Sequence, residues 1–467
     1  MYTGCRENLS TDFDMTLALI VLAAGQGTRM KSDLPKVLHK VAGASLVSHA
    51  IHSADELKPN RVVVVVGHGS ELVGPAVEAE FANAETVLQQ DRLGTAHAVD
   101  QAKAALEDFD GEAIVLYGDT PFIQPATLNA MLEARASGAD VVVLGFEAND
   151  PGKYGRLIVD GDKLSKIVEA KDATPEELAV TLCNSGVVCA NRKVLLDLIA
   201  QVGNENVSGE YYLTDIVGLA NQAGMSCTTV TCDESETMGI NSRVELAQAE
   251  EVFQSRARQL AMVNGATLWA PETVYFSVDT KIGRDVIIEP NVVFAPGVTV
   301  EDNAYIRAFS HFEDCVIRES ATVGPYARIR PGSDIGEGAR IGNFVETKKA
   351  EIGKGAKVNH LSYVGDANVG ENANIGAGTV TCNYDGVLKH RTEIGAGAFI
   401  GTNSSLVAPV SIGDGAMTAA GSVITMNVPD DALAVARAPQ TNREGMVPRL
   451  RNKLLAIKQK RDAEKKS

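Results

Sequence analysis

ATVGPYARIRPGSDIGEGARIGNFVETKKAEIGKGAKV, Ala321–Val358, decides the fold of the C-terminal half. Val323, Ile329, Ile335 and Ile341 recur every six residues, and Gly follows directly at Ile335, Ile341 and Ile352. That period matches neither an α-helix, at about 3.6 residues, nor one amphipathic strand, at about two. It matches a parallel β-helix whose short strands each send one apolar residue inward before a tight turn. The pattern runs back through Ile317, Phe312, Ile306, Val300, Phe294, Ile288 and Ile282, and forward through Val358, Val364, Val369, Ile375, Ile394, Ile400, Leu406 and Ile412. Of 43 glycines, 20 fall between Ile282 and Ile424, where tight turns need them. Asn343–Glu351 and Thr381–Glu393 interrupt the period and are expected as loops, the second a ligand-covering one with Tyr384, Lys389 and His390.

Upstream, strand-like and helix-like segments alternate. Thr16–Leu22 reads as a strand, followed by the turn AAGQGTRM, which should open a helix. Ser45–Leu57, Thr95–Leu106 and Pro125–Ser137 read as helices, and the run from Arg61, Ala113–Tyr117 and Asp140–Phe146 as strands. The fold class is therefore α/β: a mainly parallel sheet with helices on both faces, then a parallel β-helix. Ligands in such sheets gather at the carboxyl ends of the strands, where AAGQG, Gly67–Gly69 and Tyr117–Asp119 stand. The chain divides into a disordered leader or upstream start (1–14), a first domain (15–243), a linking helix (244–265), the β-helix (266–443) and a basic tail (444–467).

Composition narrows the function. The 467 residues carry a formal net charge of −17, against wholesale nucleic-acid binding, though a small anion feels only its own pocket. No apolar run approaches the ~20 residues a bilayer needs. The seven cysteines form no C-x-x-C pair, which suggests reduced thiols in a cytoplasmic protein. The tail from Arg449 holds eight Lys or Arg, with Leu450, Leu454, Leu455 and Ile457 at helical spacing.

LAAGQGTRM (Leu22–Met30), DLPKVL, QQDRLGTAHA, YGDTP, EAKDA, NSG, GEYYLTD, GNFVETKKA, NHLSYVGDA and NIGAGTVTCNYDG together resemble the bifunctional N-acetylglucosamine-1-phosphate uridyltransferase / glucosamine-1-phosphate acetyltransferase family from Met15 to about Arg443. The resemblance implies a Rossmann-like nucleotidyltransferase domain, a left-handed β-helix and a homotrimer. It also implies two reactions: acetyl transfer from acetyl-CoA to glucosamine 1-phosphate, and uridylyl transfer from UTP to the product, feeding cell-wall precursors. Glycines at 25 and 27 let phosphates near the backbone, and Arg29 and Lys36 add charge. By the resemblance, Leu22, Ala23, Gly25, Gln89, Gly94 and Thr95 hold the nucleotide. Tyr117, Gly155, Glu169, Asn184 and Asn241 hold the amino sugar. Asp119 and Asn241 bind Mg2+, which takes few protein oxygens. Gln26 departs from the family's usual Lys, a loss of charge.

In the solenoid the resemblance makes His360 the general base, suited to taking a proton from an amine near neutral pH. Arg330, Lys348, Tyr363 and Asn374 receive the sugar phosphate. Ala377, Asn383, Tyr384, Thr402, Ala420 and Arg437 receive acetyl-CoA. Glu346 is expected to orient the base or the sugar, and Lys389 to reach phosphate or cofactor across a subunit boundary. Three other readings carry less: a single-activity sugar nucleotidyltransferase with an oligomerising or regulatory β-helix, against which His360, Lys348 and the Asn383 loop argue; a regulatory subunit of this two-domain plan, which need not retain Asp119, Lys36 and Asn241 together; and a metal-dependent hydratase on a β-helix, whose His triad is lacking because His311, His360 and His390 do not share one hexad phase.

Overall fold

The computed structural model describes residues 16–465; the proposed leader, Met15 as a start, and Cys5 lie outside the described residues. Contacts divide the chain into two units. The first runs to Asn303 and includes His311–Asp314; the second holds Ala304–Ser310 and everything from Cys315. The division falls inside the hexad region, and the Arg243–Val263 helix belongs to the first unit.

The first unit is built on a sheet ordered Cys227–Cys232, Val141–Glu147, Leu182–Asn191, Glu112–Tyr117, Leu17–Ala23, Arg61–Val66, Ala84–Leu88. Leu17–Ala23 pairs in parallel with both neighbours and is buried along its whole length, as an apolar run flanked by two helical layers must be. Its alternate side chains feed two cores: Ile20 and Leu22 enter one, Leu19, Val21 and Ala23 the other. Leu182–Asn191 runs antiparallel to both neighbours. It carries the NSG motif back toward the strand ends, which simple strand–helix alternation does not anticipate. Helix starts follow local chemistry: Ser45 accepts from the Ser48 amide and Ser242 from the Glu245 amide.

The turn after the first strand does not open a helix. Gly27, at φ 62°, leads into one 3-10 turn, Thr28–Met30, and Lys31 at φ 48° ends it. Pro35 lies just beyond, and a helix continued to it would lose a donor and clash with the preceding turn. The helix expected after this turn is therefore absent.

In the second unit the hexads form parallel strands of two to seven residues. The first expected loop is not a loop. Glu346–Ile352 is a strand paired with Ser333–Ile335 on one side and Tyr363–Val369 on the other. The hexad continues through it with Thr347 in the buried position, its hydroxyl 3.1 Å from Ser333 Oγ. Thr381 repeats the device, exchanging hydrogen bonds of 2.8 and 3.0 Å with the amide and carbonyl of Gly365. Only the second interruption projects. Tyr384 and Lys389 form an isolated antiparallel bridge, and the His390 amide donates to Asn383 O at 2.8 Å. Asp385 accepts from the Val387 and Leu388 amides and faces His390 at 2.7 Å. That His390 contact leads the effects holding its carboxyl down at about 2. Met446–Glu464 is a helix without a buried residue. No helix among the described residues is long and apolar enough to cross a membrane.

The inward hexad residues stack. In the first unit Phe276, Phe294 and Phe312 lie face to face, with centroids 5.4 and 5.2 Å apart, and all three are buried. Deleting the middle ring leaves a void with rings on both sides, a loss of about 3–5 kcal/mol. Phe294→Ala should therefore lower the unfolding temperature by several degrees in calorimetry, and Phe294→Leu by less.

Candidate active sites

In the first unit a cleft opens at the carboxyl ends of the parallel strands, lined by Leu22, Gly25, Lys36, Gln89, Gly94, Thr95, Tyr117 and Asp119 among the expected residues. Lys36 reaches it because Gly27 has no side chain: a Cβ there would lie 2.5 Å from Lys36 Cβ. The Lys36 ammonium donates to the Asp119 carboxylate and, at 3.0 Å, to Asn241 Oδ1. A carboxylate and an amide oxygen from positions 122 residues apart thus aim at one cation. Asn241 is held from behind by Glu245, whose carboxylate accepts its backbone amide at 2.7 Å. Both donors are hard oxygens converging on one positive group, which fits a magnesium-type ion. The described residues contain no cluster of three or more His, Cys, Asp or Glu able to hold a metal. An ion held by this pair would draw its remaining ligands from phosphate and water.

Gln89 is buried, its side-chain amide donating to Gly94 O at 3.1 Å and lying 3.0 Å from His97 Nδ1. That commits the nitrogen and leaves the oxygen for a ligand donor. Gly94, at φ 120°, presses on the segment carrying GEYYLTD, and a Cβ would meet Tyr211 O at 2.4 Å. The Leu213 amide donates to Thr95 Oγ1 at 2.9 Å, closing the same contact. Tyr117 lies over Gly186, where a Cβ would touch its ring. Burial, reinforced by Asp119, drives the Tyr117 hydroxyl far above its ordinary range, so it is a neutral donor. Gly155, Glu169 and Asn184 meet beside it. The Asn184 amide donates to Gly155 O at 2.8 Å, and a Cβ on Gly155 would sit 3.6 Å from Glu169 Oε1. Burial pushes the Glu169 carboxyl up against the opposing pull of Lys171.

Of the expected residues outside the lining, Asn241 adjoins it through Lys36, Gly155, Glu169 and Asn184 lie beside Tyr117, and Ala23 and Arg29 stand apart. Ala23 points into the core on the opposite face, because strand neighbours alternate sides. Arg29 is exposed, on the 3-10 turn whose Met30 is buried. Arg92 and Glu210, which the sequence did not single out, line the cleft instead.

In the second unit one corner of the coils collects the other set. Leu361 N donates to Asn343 O, Gly378 N to His360 O, Asn403 N to Ala377 O and Gly421 N to Thr402 O, once per coil. Asn343, His360, Ala377, Thr402 and Ala420 therefore form one column. Arg437 follows, its Cδ 4.0 Å from where a Gly421 Cβ would lie. Each coil turns this corner through a left-handed residue, Phe344, Leu361, Gly378, Asn403 or Gly421. His360 Nδ1 lies 2.6 Å from Asn343 Oδ1. With the amide oxygen accepting, the proton sits on Nδ1 and Nε2 keeps its lone pair. Asn343 lies in GNFVETKKA, but the motif assigned it no role; in-register stacking, Asn343 against His360, is the signal.

Beside the column the strands align Glu346 with Tyr363 and Lys348 with Gly365. Glu346 does not reach the base; it accepts from Arg330 at 2.6 Å, with Arg328 at 3.9 Å. The nearness of Lys389, then of Arg330, holds the Lys348 ammonium below its ordinary range. Such crowded cations form a site for an anion. Asn374 lies on the strand beside Lys357 and is half-buried, while Asn383 is buried and donates to Asp366. Tyr384 projects from the hairpin, 58% exposed.

The MobA-like NTP transferase domain family matches residues 19–211, and the bacterial transferase hexapeptide family matches 279–313, 314–349 and 391–425. Bifunctional protein GlmU of Jannaschia sp. (strain CCS1) is 59% identical, over 95% of this chain and 97% of its own. The Bifunctional protein GlmU of Ruegeria pomeroyi is 59% identical over 96% and 100%, and that of Paramagnetospirillum magneticum 58% over 96% and 99%.

The Asn343 contact makes a spectroscopic prediction. Nitrogen-15 NMR of the His360 imidazole should report the Nδ1–H tautomer, and Asn343→Leu should mix the two tautomers. An unchanged signature in the variant would remove Asn343 from the site.

Proposed function

This chain belongs to the family of bifunctional GlmU proteins, uridyltransferase and acetyltransferase in one polypeptide, and we propose that the cleft of the first unit carries uridylyl transfer and the His360 corner of the second carries acetyl transfer. Together the two reactions make UDP-N-acetylglucosamine. The observation behind the first assignment is the meeting of Lys36, Asp119 and Asn241 at the end of a parallel strand. A phosphate oxygen of the amino sugar attacks the α-phosphorus of UTP, and pyrophosphate leaves. Little proton chemistry is involved, so positioning and charge neutralisation supply the rate. Asp119 and Asn241 would hold Mg2+, which when bound neutralises phosphate charge. Lys36 supplies positive charge beside them. The Gln89 oxygen accepts from the uracil edge, while Gly155, Glu169 and Asn184 seat the sugar.

At the corner of the second unit, Nε2 of His360 takes a proton from the amine of glucosamine 1-phosphate. The nitrogen then attacks the acetyl-CoA thioester, the carbon–sulfur bond breaks, and the sulfur leaves as CoA thiol with the proton that His360 took from the amine. Arg330, Lys348 and Lys389 receive the sugar phosphate, with Tyr363 and Asn374 placing the ring. Ala377, Thr402 and Ala420 keep one edge low enough for an extended cofactor to lie along, with Arg437, Asn383 and Tyr384 at its margins. A cytoplasmic location suits both co-substrates and the free thiols.

We further infer a homotrimer. Phe309, Tyr326 and Phe344 stack with centroids 4.9 and 5.2 Å apart while remaining 51, 46 and 55% exposed, a ladder of aromatic surface that a subunit contact would cover. Sedimentation should give a trimer's mass, and a monomer at micromolar concentration would overturn this assembly.

The two sites should separate by mutation. Asp119→Asn should reduce pyrophosphate release from UTP by about a hundredfold or more while CoA release stays at the wild-type rate. His360→Ala should do the reverse, costing about 100- to 10,000-fold in CoA release. A variant that lost both activities together would argue against two independent sites.

A further inference from the structure

Two cations, Lys36 and Arg92, line the first cleft, together with the carboxylates of Asp119 and Glu210. Lys36 is engaged, its ammonium shared between Asp119 and Asn241. Arg92 is exposed, and its guanidinium is held by a neutral group. With the Gln26 carboxamide turned so that its oxygen faces the guanidinium, it accepts from Arg92 Nη1 at 2.7 Å and Nη2 at 2.9 Å. A neutral acceptor fixes a guanidinium without cancelling its charge, whereas a carboxylate would do both. Both ends of this clamp belong to ligand-bearing segments. Gln26 lies in the glycine-flanked turn, next to cleft-lining Gly25, and Arg92 stands three residues after Gln89 and two before Gly94.

We propose that Arg92, positioned by Gln26, grips the polyphosphate of the incoming nucleotide. The assignment rests on reading this cleft as the uridylyl-transfer site. UTP brings several negative charges, and Lys36 is already drawn toward the oxygens that would hold the metal. Arg92 supplies the additional positive charge, in a planar fork suited to phosphate oxygens. Gln26 is a positioning residue: it touches the guanidinium and determines where that charge stands. A cation at position 26 would occupy nearly the same place, so charge at 26 and charge at 92 should be interchangeable.

Steady-state kinetics on the full-length protein test this, with UTP and N-acetylglucosamine 1-phosphate varied separately and CoA release followed as a control. Arg92→Gln should raise KM for UTP about 10- to 100-fold, the usual weight of charge-assisted phosphate contacts. KM for the sugar phosphate and the rate of CoA release should stay within about twofold. Gln26→Glu leaves Arg92 in place but pairs it with a carboxylate, and should raise KM for UTP similarly. Gln26→Lys placed on Arg92→Gln should recover most of the loss. Wild-type turnover of UTP with an unchanged KM in both Arg92→Gln and Gln26→Glu would refute the contact alone. An equal rise in KM for the sugar phosphate would also refute it, by showing a general distortion of the cleft. A wild-type protein that released no pyrophosphate from UTP would overturn the uridylyl-transfer reading, and this contact with it.

Discussion

Gly378 donates to His360, Asn403 to Ala377 and Gly421 to Thr402, and this one backbone bond, repeated coil after coil, determines what the second unit can do. Parallel stacking places a residue directly over another about one coil earlier, so chemistry scattered along the chain becomes a straight edge. His360 meets Asn343, and Arg330 lies beside Lys348, because the ladder keeps them in register, while Lys389 joins them from the projecting hairpin. The first unit uses parallel pairing in the same way at the strand ends, where the segments after Leu17–Ala23, Ala84–Leu88 and Glu112–Tyr117 all deliver residues to one cleft. Each site combines groups fixed at strand ends with groups from connecting segments: residues 89–94 in the first unit, and the hairpin carrying Tyr384 and Lys389 in the second.

An acidic chain that handles phosphates must concentrate its cations, and it does so in two different ways. In the second unit Arg330, Lys348 and Lys389 are crowded until one ammonium is easier to deprotonate than usual, a strain that an anion relieves. In the first unit Lys36 is fully engaged with oxygen ligands while Arg92 is tethered to a neutral amide. Crowding makes a site that attracts any phosphate strongly. Tethering makes one in which the position of the charge, more than its amount, selects the ligand.

Much of this was legible in the sequence, and the failures share a cause. The hexads announced the solenoid because Ile and Val at the inward position leave a repeat. The repeat vanished at Thr347 and Thr381, where a hydroxyl satisfied by Ser333 or Gly365 lets a polar residue occupy the buried position. The first expected loop was thus a strand whose hydrophobic signature had been replaced by a hydrogen bond. The glycine-rich turn suggested a helix because Thr28–Met30 starts like one, but Pro35 and the left-handed Lys31 limit it to a single turn. Arg29 and Ala23 mark a related limit: motif membership does not say which side of a strand or turn a side chain takes. Lys36, Asp119 and Asn241 were readable as a set, yet the bond that joins them was not.

Gln26 shows the limit most clearly. Taken alone it is a missing charge, since position 26 cannot by itself restore what a Lys would bring. In three dimensions it lies against Arg92, whose own position in QQDRLGTAHA reads as a spacer between Gln89 and Gly94. The cleft keeps a cation at this spot, but the cation comes from a different segment. An amide at 26 beside a guanidinium at 92 places the charge through a fork of two hydrogen bonds in place of one flexible stem, at a smaller loss of side-chain freedom for each bond formed. Function at this position therefore belongs to the pair, and neither residue has a chemical role that can be read without the other.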